Sequence, residues 1–314
     1  MLTVKRKYSY KAFGLHFLSD ISISELPKVI LNHEASDSLV EVKIGDLSRY
    51  IEELLQNNNI IVKENFVLFL VQNVAIYMIQ DGNKVTIFPL GKDIKNINIY
   101  LISTCMAALL LQRRILPLHA STINIKGKAY SFVGVSGIGK STLAKAFIDL
   151  GYSFLSDDII GVTISKEGRA IAIPAFPEQK LWIETINEFG MSQEKYERIA
   201  ENISKYSIPI PNFEDSPLEL AGVFELEKTI SNEAHVSKIL NLERIRTFYN
   251  HTFRRAYIPA LGLMNWHFDL ISRIVNYVDF YRIKRPDSGF SVDKLQNIIF
   301  SLLNDQIERP YQKN

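Results

Sequence analysis

One eight-residue run restricts the possible folds of this chain more than any other feature: Gly134-Val135-Ser136-Gly137-Ile138-Gly139-Lys140-Ser141. It fits the pattern G-x-x-x-x-G-K-[ST], a loop that wraps polyphosphates. Its glycines let the backbone curl so that successive N–H groups point inward at phosphate oxygens. Lys140 brings a point charge toward the β- and γ-phosphates, and the Ser141 hydroxyl reaches a bound magnesium ion. Thr142 opens a helix whose positive dipole end faces the same anion. The flanks agree with such a loop. Residues 129–133 form a short apolar strand run, and 142–150 read as a helix that Gly151 can terminate. A glycine-rich turn without a ligand is the plainer alternative, and the strand–loop–helix context weighs against it. The expected ligands of 134–142 are ATP and Mg2+.

Composition bounds the rest. With 314 residues and 47% hydrophobic content, the chain is long enough for two domains and a substantial core. Thirty-six basic against 34 acidic residues leave a net charge of +2, which gives no reason to expect a nucleic-acid or membrane partner. The single Cys105 excludes an internal disulfide and suits a reducing compartment. It sits in an apolar helical stretch and reads as a buried structural thiol. The first 30 residues carry Lys5, Arg6, Lys7, Lys11, Asp20, Glu25 and Lys28 with no clean apolar run between them, so no secretory signal is read there. The most apolar stretch, 99–111, is closed by Gln112-Arg113-Arg114 and is too short to span a bilayer. A buried helix is its expected form, and cytoplasmic its expected setting.

Residues 1–96 read as a β-rich N-terminal domain. Strands are expected at 60–62, 66–71, 75–80 and 85–88, with a turn at Asp81-Gly82-Asn83 between the last two. Only 47–56 has helical spacing there. The polar stretch 91–98 suggests a boundary, leaving 97–314 as the phosphate-loop domain. A helix is expected over 99–114, then strands at 118–125, 129–133 and 152–155. A hairpin follows, 159–164 with 169–173, around Lys166-Glu167-Gly168. Further strands are expected at 218–227 and 278–283, helices near 193–205, 239–249, 265–277 and 293–307, and a polar tail at 308–314. Strands interleaved with helices in this order predict an α/β fold whose mixed sheet is flanked by helices.

Asp157-Asp158 is the second informative feature. Phosphoryl transfer needs a metal on the β- and γ-phosphates and a group that orients or deprotonates the attacking hydroxyl. Consecutive side chains on a strand face opposite ways, but leaving the strand at a turn can bring two to one site. Adjacent acids are common on surfaces. At the end of the strand that follows the loop helix, they read instead as part of the site.

On these residues, the segment 134–162 (GVSGIGKSTLAKAFIDLGYSFLSDDIIGV) resembles the nucleotide-binding core of the HPr kinase/phosphorylase family. That family reads G-x-S-G-x-G-K-S, a helix, and a glycine-plus-strand run into an acidic pair. The 17-residue separation from Lys140 to Asp157 agrees with it, as does His119, 21 residues before Lys140. The resemblance spans about 119–162 and implies a P-loop kinase core similar to HPr kinase and phosphoenolpyruvate carboxykinase. By that likeness Asp157 is the base for a serine hydroxyl, Asp158 and Ser141 hold magnesium, and Lys140 stabilises the phosphates. His119 tunes the carboxylate or positions substrate; the plainer alternative is an imidazole satisfied by a backbone carbonyl.

Downstream the sequence departs from the family. Where the family has a glycine-rich signature opening with a metal-site acid, this chain has Ala172-Ile173-Pro174-Ala175-Phe176-Pro177-Glu178-Gln179-Lys180-Leu181-Trp182. The metal acid is Glu178, Glu184 or neither. The family's loop arginine is also missing. His251-Thr252-Phe253-Arg254-Arg255 offers cations in its place, exposed arginines being the commoner use of such a run. A bifunctional enzyme is therefore not expected. In size and layout the chain is more similar to the HPr-kinase-like proteins of lasso-peptide systems, which phosphorylate the C-terminal serine of a precursor peptide. The run P-x-x-P-x-x-K-L-W (174–182) resembles theirs. The resemblance thus implies a serine kinase acting on a precursor peptide and assembling as a homo-oligomer. The rivals are a kinase of HPr or another small protein, a kinase of free serine, and a nucleotide-gated binding protein. Trp182 and Trp266 are either peptide platforms or core residues. Leu295, Ile298, Ile299, Leu302 and Leu303 follow a helical period, as burial or a subunit interface requires. His235, His251 and His267 lack metal-ligand spacing, so no zinc site is expected.

Overall fold

The computed structural model describes residues 7–30, 38–200, 203–287 and 292–307, with side chains to 303 in the last helix. Alternating burial builds the first sheet. In β1 (Tyr8–Ala12) and β2 (Leu15–Ser19) the inward set is Tyr10, Ala12, Leu15, Phe17 and Ser19. β3 (Leu39–Ile44) follows, then the short helix α1 (Ile51–Gln56), β4 (Ile60–Lys63), β5 (Phe66–Val71), β6 (Ala75–Gln80) and β7 (Lys84–Pro89). The seven strands lie in the order β1-β2-β3-β7-β6-β5-β4, with β3 parallel to both its neighbours. Asp81 and Gly82 both take positive φ (51° and 64°) in the turn that joins β6 to β7, the geometry a tight hairpin requires.

A continuous helical run covers this sheet: α2 (Ile94–Tyr100), a π-helical segment (Leu101–Cys105) and α3 (Met106–Gln112). It starts five residues earlier than its apolar stretch predicts, because the Asp93 side chain accepts from Lys95 N–H at 2.9 Å and caps the first turn. At 19 residues, with mean hydropathy 1.5, it is long and apolar enough to cross a bilayer, yet 67% of its apolar window is buried inside the protein. Leu101, Cys105, Ala108 and Leu109 share one core with Phe69, Tyr77 and Ile79 of the sheet. Each such leucine contributes about 2 kcal/mol by burial.

The second sheet receives β8 (Leu116–Leu118), β9 (Ala120–Ile125) and β10 (Lys128–Val133) before helix α4 (Lys140–Asp149), then β11 (Ser153–Ser156), β12 (Ile160–Ile164) and β13 (Ala170–Ile173). A small third sheet follows: β14 (Glu178–Trp182), helix α5 (Ile183–Glu188), β15 (Glu197–Ala200) and β16 (Ile203–Pro209), ordered β14-β16-β15. The chain returns to the second sheet through the twelve-residue β17 (Leu218–Thr229) and β18 (His235–Lys238), passes helices α6 (Leu242–His251) and α7 (Met264–Ile274), adds β19 (Asp279–Pro286), and ends in α8 (Val292–Ile307). β17 is parallel to both β10 and β19, while β9, β12 and β13 make antiparallel pairs, so the expected mixed sheet is observed.

The helix expected at 193–205 is not formed. A single 3-10 turn at Gln193–Lys195 gives way to β15 and β16. Tyr206 and Ile208 pack with Phe154 and Leu181, and β14 supplies a ladder for β16. Aromatic and β-branched residues that meet a neighbouring strand are held extended whatever their local spacing suggests. The turn between β1 and β2 also reaches the segment that leads into β14. Phe13 packs edge-on against Phe176, with ring centroids 6.4 Å apart, and Phe13 N–H donates to Pro174 O, bracing the approach to β14.

Candidate active site

The glycine-rich loop 134–139 leaves β10 in the second sheet and enters α4. At Gly134 φ is 146°, and an added Cβ would lie 2.8 Å from Leu226 O on β17. Only glycine fits so close to a neighbouring strand in that conformation. Gly139 takes φ 108° as the residue before α4, turning the chain into the helix. Val135 is exposed at the loop's tip, whereas Ile138 is buried, and its carbonyl accepts from Arg285 Nε at 2.9 Å. The Lys140 side chain curls back under the loop, and its ammonium donates to Gly134 O at 2.9 Å and Val135 O at 3.3 Å. Burial pulls its pKa below the ordinary lysine value, against the pull of Asp157 and Asp158.

β11 delivers the acidic pair. Asp158 takes φ 66°, a left-handed conformation that aspartate tolerates better than most residues. That reversal brings two consecutive side chains, which a continuing strand would part, to one lysine. Lys180 N–H donates to Asp157 Oδ2 at 3.0 Å, and the Lys180 ammonium donates to Asp158 Oδ2 at 3.1 Å. Asp157 is enclosed: its Oδ1 also accepts from Ser141 Oγ at 2.8 Å and, by a very short bond, from Ser121 Oγ. Burial and then the adjacent Asp158 push the Asp157 pKa up, against these donors. Burial also opposes the charge on Asp158, but Lys180 and Lys205 outweigh it and bring Asp158 to about 2.

His119 sits between β8 and β9. Its backbone N–H donates to His251 O, and its ring stacks on Phe253 with centroids 5.4 Å apart. Nδ1 lies 2.8 Å from Asp158 O, and a carbonyl can only accept, so Nδ1 carries the proton and Nε2 is the acceptor nitrogen. Burial, then Lys140, lowers its pKa to about 4, so the ring is neutral at pH 7.

These groups surround a cleft of about 570 Å³. His119, Ser136, Gly137, Gly139, Lys140, Ser141, Thr142 and Asp158 line it, whereas Gly134, Ile138 and Asp157 lie behind its surface. Of the acids weighed for a metal role, Glu184 lines the cleft and Glu178 does not. Burial raises Glu178 to about 7.

Cations that sequence reasoning passed over line the cleft as well: Lys180, Lys205 and Arg285. Lys180 lies in the K-L-W run, which offered a signal; Lys205 and Arg285 are carried in by β16 and β19 from distant sequence. Trp182 is at the cleft, 39% exposed, with the Lys205 ammonium 4.8 Å from its ring centroid. Trp266 packs against two hydrophobic cores instead. The run from His251 contributes no cation to the cleft. His251 pairs with Glu225 at 2.9 Å, Arg254 reaches Thr104, and Arg255 reaches Asn250.

No protein-family model matches the chain, and no curated protein matches it. Among solved structures, the chain is similar to the Hpr(Ser) kinase/phosphatase from Coxiella burnetii at 15% identity, over 60% of this chain and 95% of that one, with a TM-score of 0.33. So loose a superposition assigns neither a family nor an activity.

Proposed function

We propose that this chain is an ATP- and magnesium-dependent phosphotransferase whose acceptor is a serine hydroxyl, specifically the C-terminal serine of a lasso-peptide precursor. The observation that carries the reading is the bond from Ser141 Oγ to Asp157 Oδ1 at the foot of the phosphate loop, with Asp158 beside it in the cleft.

The residues present fit both groups. Positive φ at Gly134, Gly137 and Gly139 gives the loop the curled backbone that a phosphate cradle needs, and Gly137 and Gly139 line the cleft. The Lys140 ammonium has three N–H donors, two of which serve loop carbonyls. Among the described residues no cluster of three His, Cys, Asp or Glu side chains could hold a metal alone. Magnesium bound through phosphate oxygens and waters needs only one or two protein ligands, and Ser141 with a carboxylate supplies them.

ATP with magnesium, when bound, would supply the transferable phosphoryl group and a cation to offset its charge. The loop N–H groups and Lys140 hold the phosphates, Asp157 orients Ser141, and Asp158 takes the acceptor hydroxyl's proton on its carboxylate. His119, neutral and bonded to Asp158 O, keeps that turn in place. This division reverses the one the resemblance implies for the two aspartates. Its support is that Asp158 lines the cleft while Asp157 is enclosed by three donors. Exposed Trp182 and the neighbouring Lys205 at the cleft support an acceptor larger than an amino acid and carrying a carboxylate.

The test is transfer from γ-labelled ATP to four acceptors: a serine-terminated precursor peptide, its C-terminal amide, HPr, and free serine. Label on the free-acid peptide is the expected result. Label on HPr or serine alone reassigns the acceptor. Tight ATP binding with no transfer to any acceptor, water included, marks a nucleotide-gated binding protein.

A further inference from the structure

Lys180 has no role in the reaction proposed above for Lys140, Asp157 and Asp158, yet its surroundings are unusual for a lysine. It is 9% exposed, lies on β14 facing the cleft, and touches both aspartates, one through its backbone and one through its side chain. Among the described residues, the ammonium has a single bonding partner, Asp158 Oδ2. An ammonium has three N–H donors, and burying it with one acceptor is costly unless an anion completes the set. Lys140 approaches the same aspartates from the loop side, since Asp157 and Asp158 act on the charge of both lysines. The two cations therefore flank the acidic pair, one from the phosphate loop and the other from the third sheet.

We infer that Lys180 is a second phosphoryl-binding lysine, which contacts the γ-phosphoryl group while Lys140 holds the β–γ junction. The inference rests on the proposed function and assigns the acceptor-side cation for which the sequence offered only Arg254 and Arg255. As the acceptor oxygen bonds to phosphorus, the bond from phosphorus to the departing ADP oxygen breaks and the hydroxyl proton passes to Asp158. Through that exchange Lys180 neutralises charge on the equatorial oxygens. Lys205 is the less suitable cation, because its ammonium rests on the face of Trp182.

Calorimetric binding of Mg·ADP and of the non-transferable Mg·AMP-PNP tests this without knowledge of the acceptor. Lys180→Met is expected to weaken AMP-PNP about tenfold to hundredfold, the value of one or two charge-assisted bonds, and to leave ADP within about twofold. Lys180→Arg is expected to restore most of the difference. Lys140→Met weakens both ligands. If Lys180→Met fails to fold because Asp158 loses its partner, Lys180→Gln keeps a donor near that carboxylate and removes the charge, and the same ratio is read on it. Equal changes for the two nucleotides, or none, overturn the role of Lys180. A wild-type protein that binds neither nucleotide overturns the proposed function itself, a result separable from the first.

Discussion

The Ser141 hydroxyl lies 2.8 Å from Asp157 Oδ1 and donates to it, tying the first turn of α4 to the end of β11. The bond fixes the hydroxyl hydrogen and turns the oxygen lone pairs outward, the orientation that the proposed role of Ser141 as a magnesium ligand needs. Ser141→Ala removes the proposed magnesium ligand while Asp157 keeps Ser121 and Lys180 N–H as donors. Mg·ADP affinity should fall about tenfold and metal-free ADP affinity should hold, as titrations with and without magnesium will show.

Exchanging the aspartates one at a time separates their roles. Asp158→Asn should cut kcat by about 10²- to 10⁴-fold with the KM for ATP nearly unchanged, because the amide cannot accept the proton. Asp157→Asn should instead raise the magnesium concentration needed for half-maximal rate, since one of its oxygens becomes an NH2 that faces donors. An active Asp158→Asn together with an inactive Asp157→Asn of normal magnesium requirement would return the base role to Asp157.

Gly134→Ala places a Cβ 2.8 Å from Leu226 O at φ 146°. The backbone strain alone is on the order of 1–3 kcal/mol, and the contact forces β10 and β17 apart. Thermal melts should show a clear loss for Gly134→Ala and a smaller one for Gly137→Ala, where a Cβ meets nothing within 4 Å.

Glu178 offers a pH test with a definite sign. Its folded pKa of about 7 lies above the ordinary value of 4.5 because its partly buried setting disfavours the charged form. Between these values the unfolded chain binds fewer protons than the folded one, so the wild type loses stability as pH rises through that window. Glu178→Gln has no such loss. Its stability relative to wild type should climb by about 3 kcal/mol from pH 4.5 to 7 and then level off. His119 and His267, both lowered to about 4, act in the opposite sense below pH 6.5 but cancel in the comparison. The magnesium requirement should not change, since Glu178 lies outside the cleft; a rise would make it a metal ligand.

Much was legible where chemistry is local. Hairpin turns such as Asp81-Gly82 depend on residues that accept positive φ, and the strand–loop–helix around Gly134–Ser141 depends on glycine spacing and a following amphipathic run. The third sheet was not legible, because residues 193–205 are extended only by virtue of β14 beside them. The placement of Glu178 and Glu184 was equally hidden: six residues apart in the chain, only the second lines the cleft.

The order of residues by itself determined a glycine-rich strand–loop–helix, an acidic pair 17 residues beyond its lysine, and a mixed α/β architecture. Tertiary structure alone decided which aspartate faces the cleft and which cations meet it. The bonds from Lys180 to Asp157 and Asp158, the short approach of β17 to Gly134, and the delivery of Lys180, Lys205 and Arg285 by separate strands are all contacts between distant segments. Spacing along a chain sets which groups a strand or loop can present, whereas their convergence depends on packing that no single segment encodes.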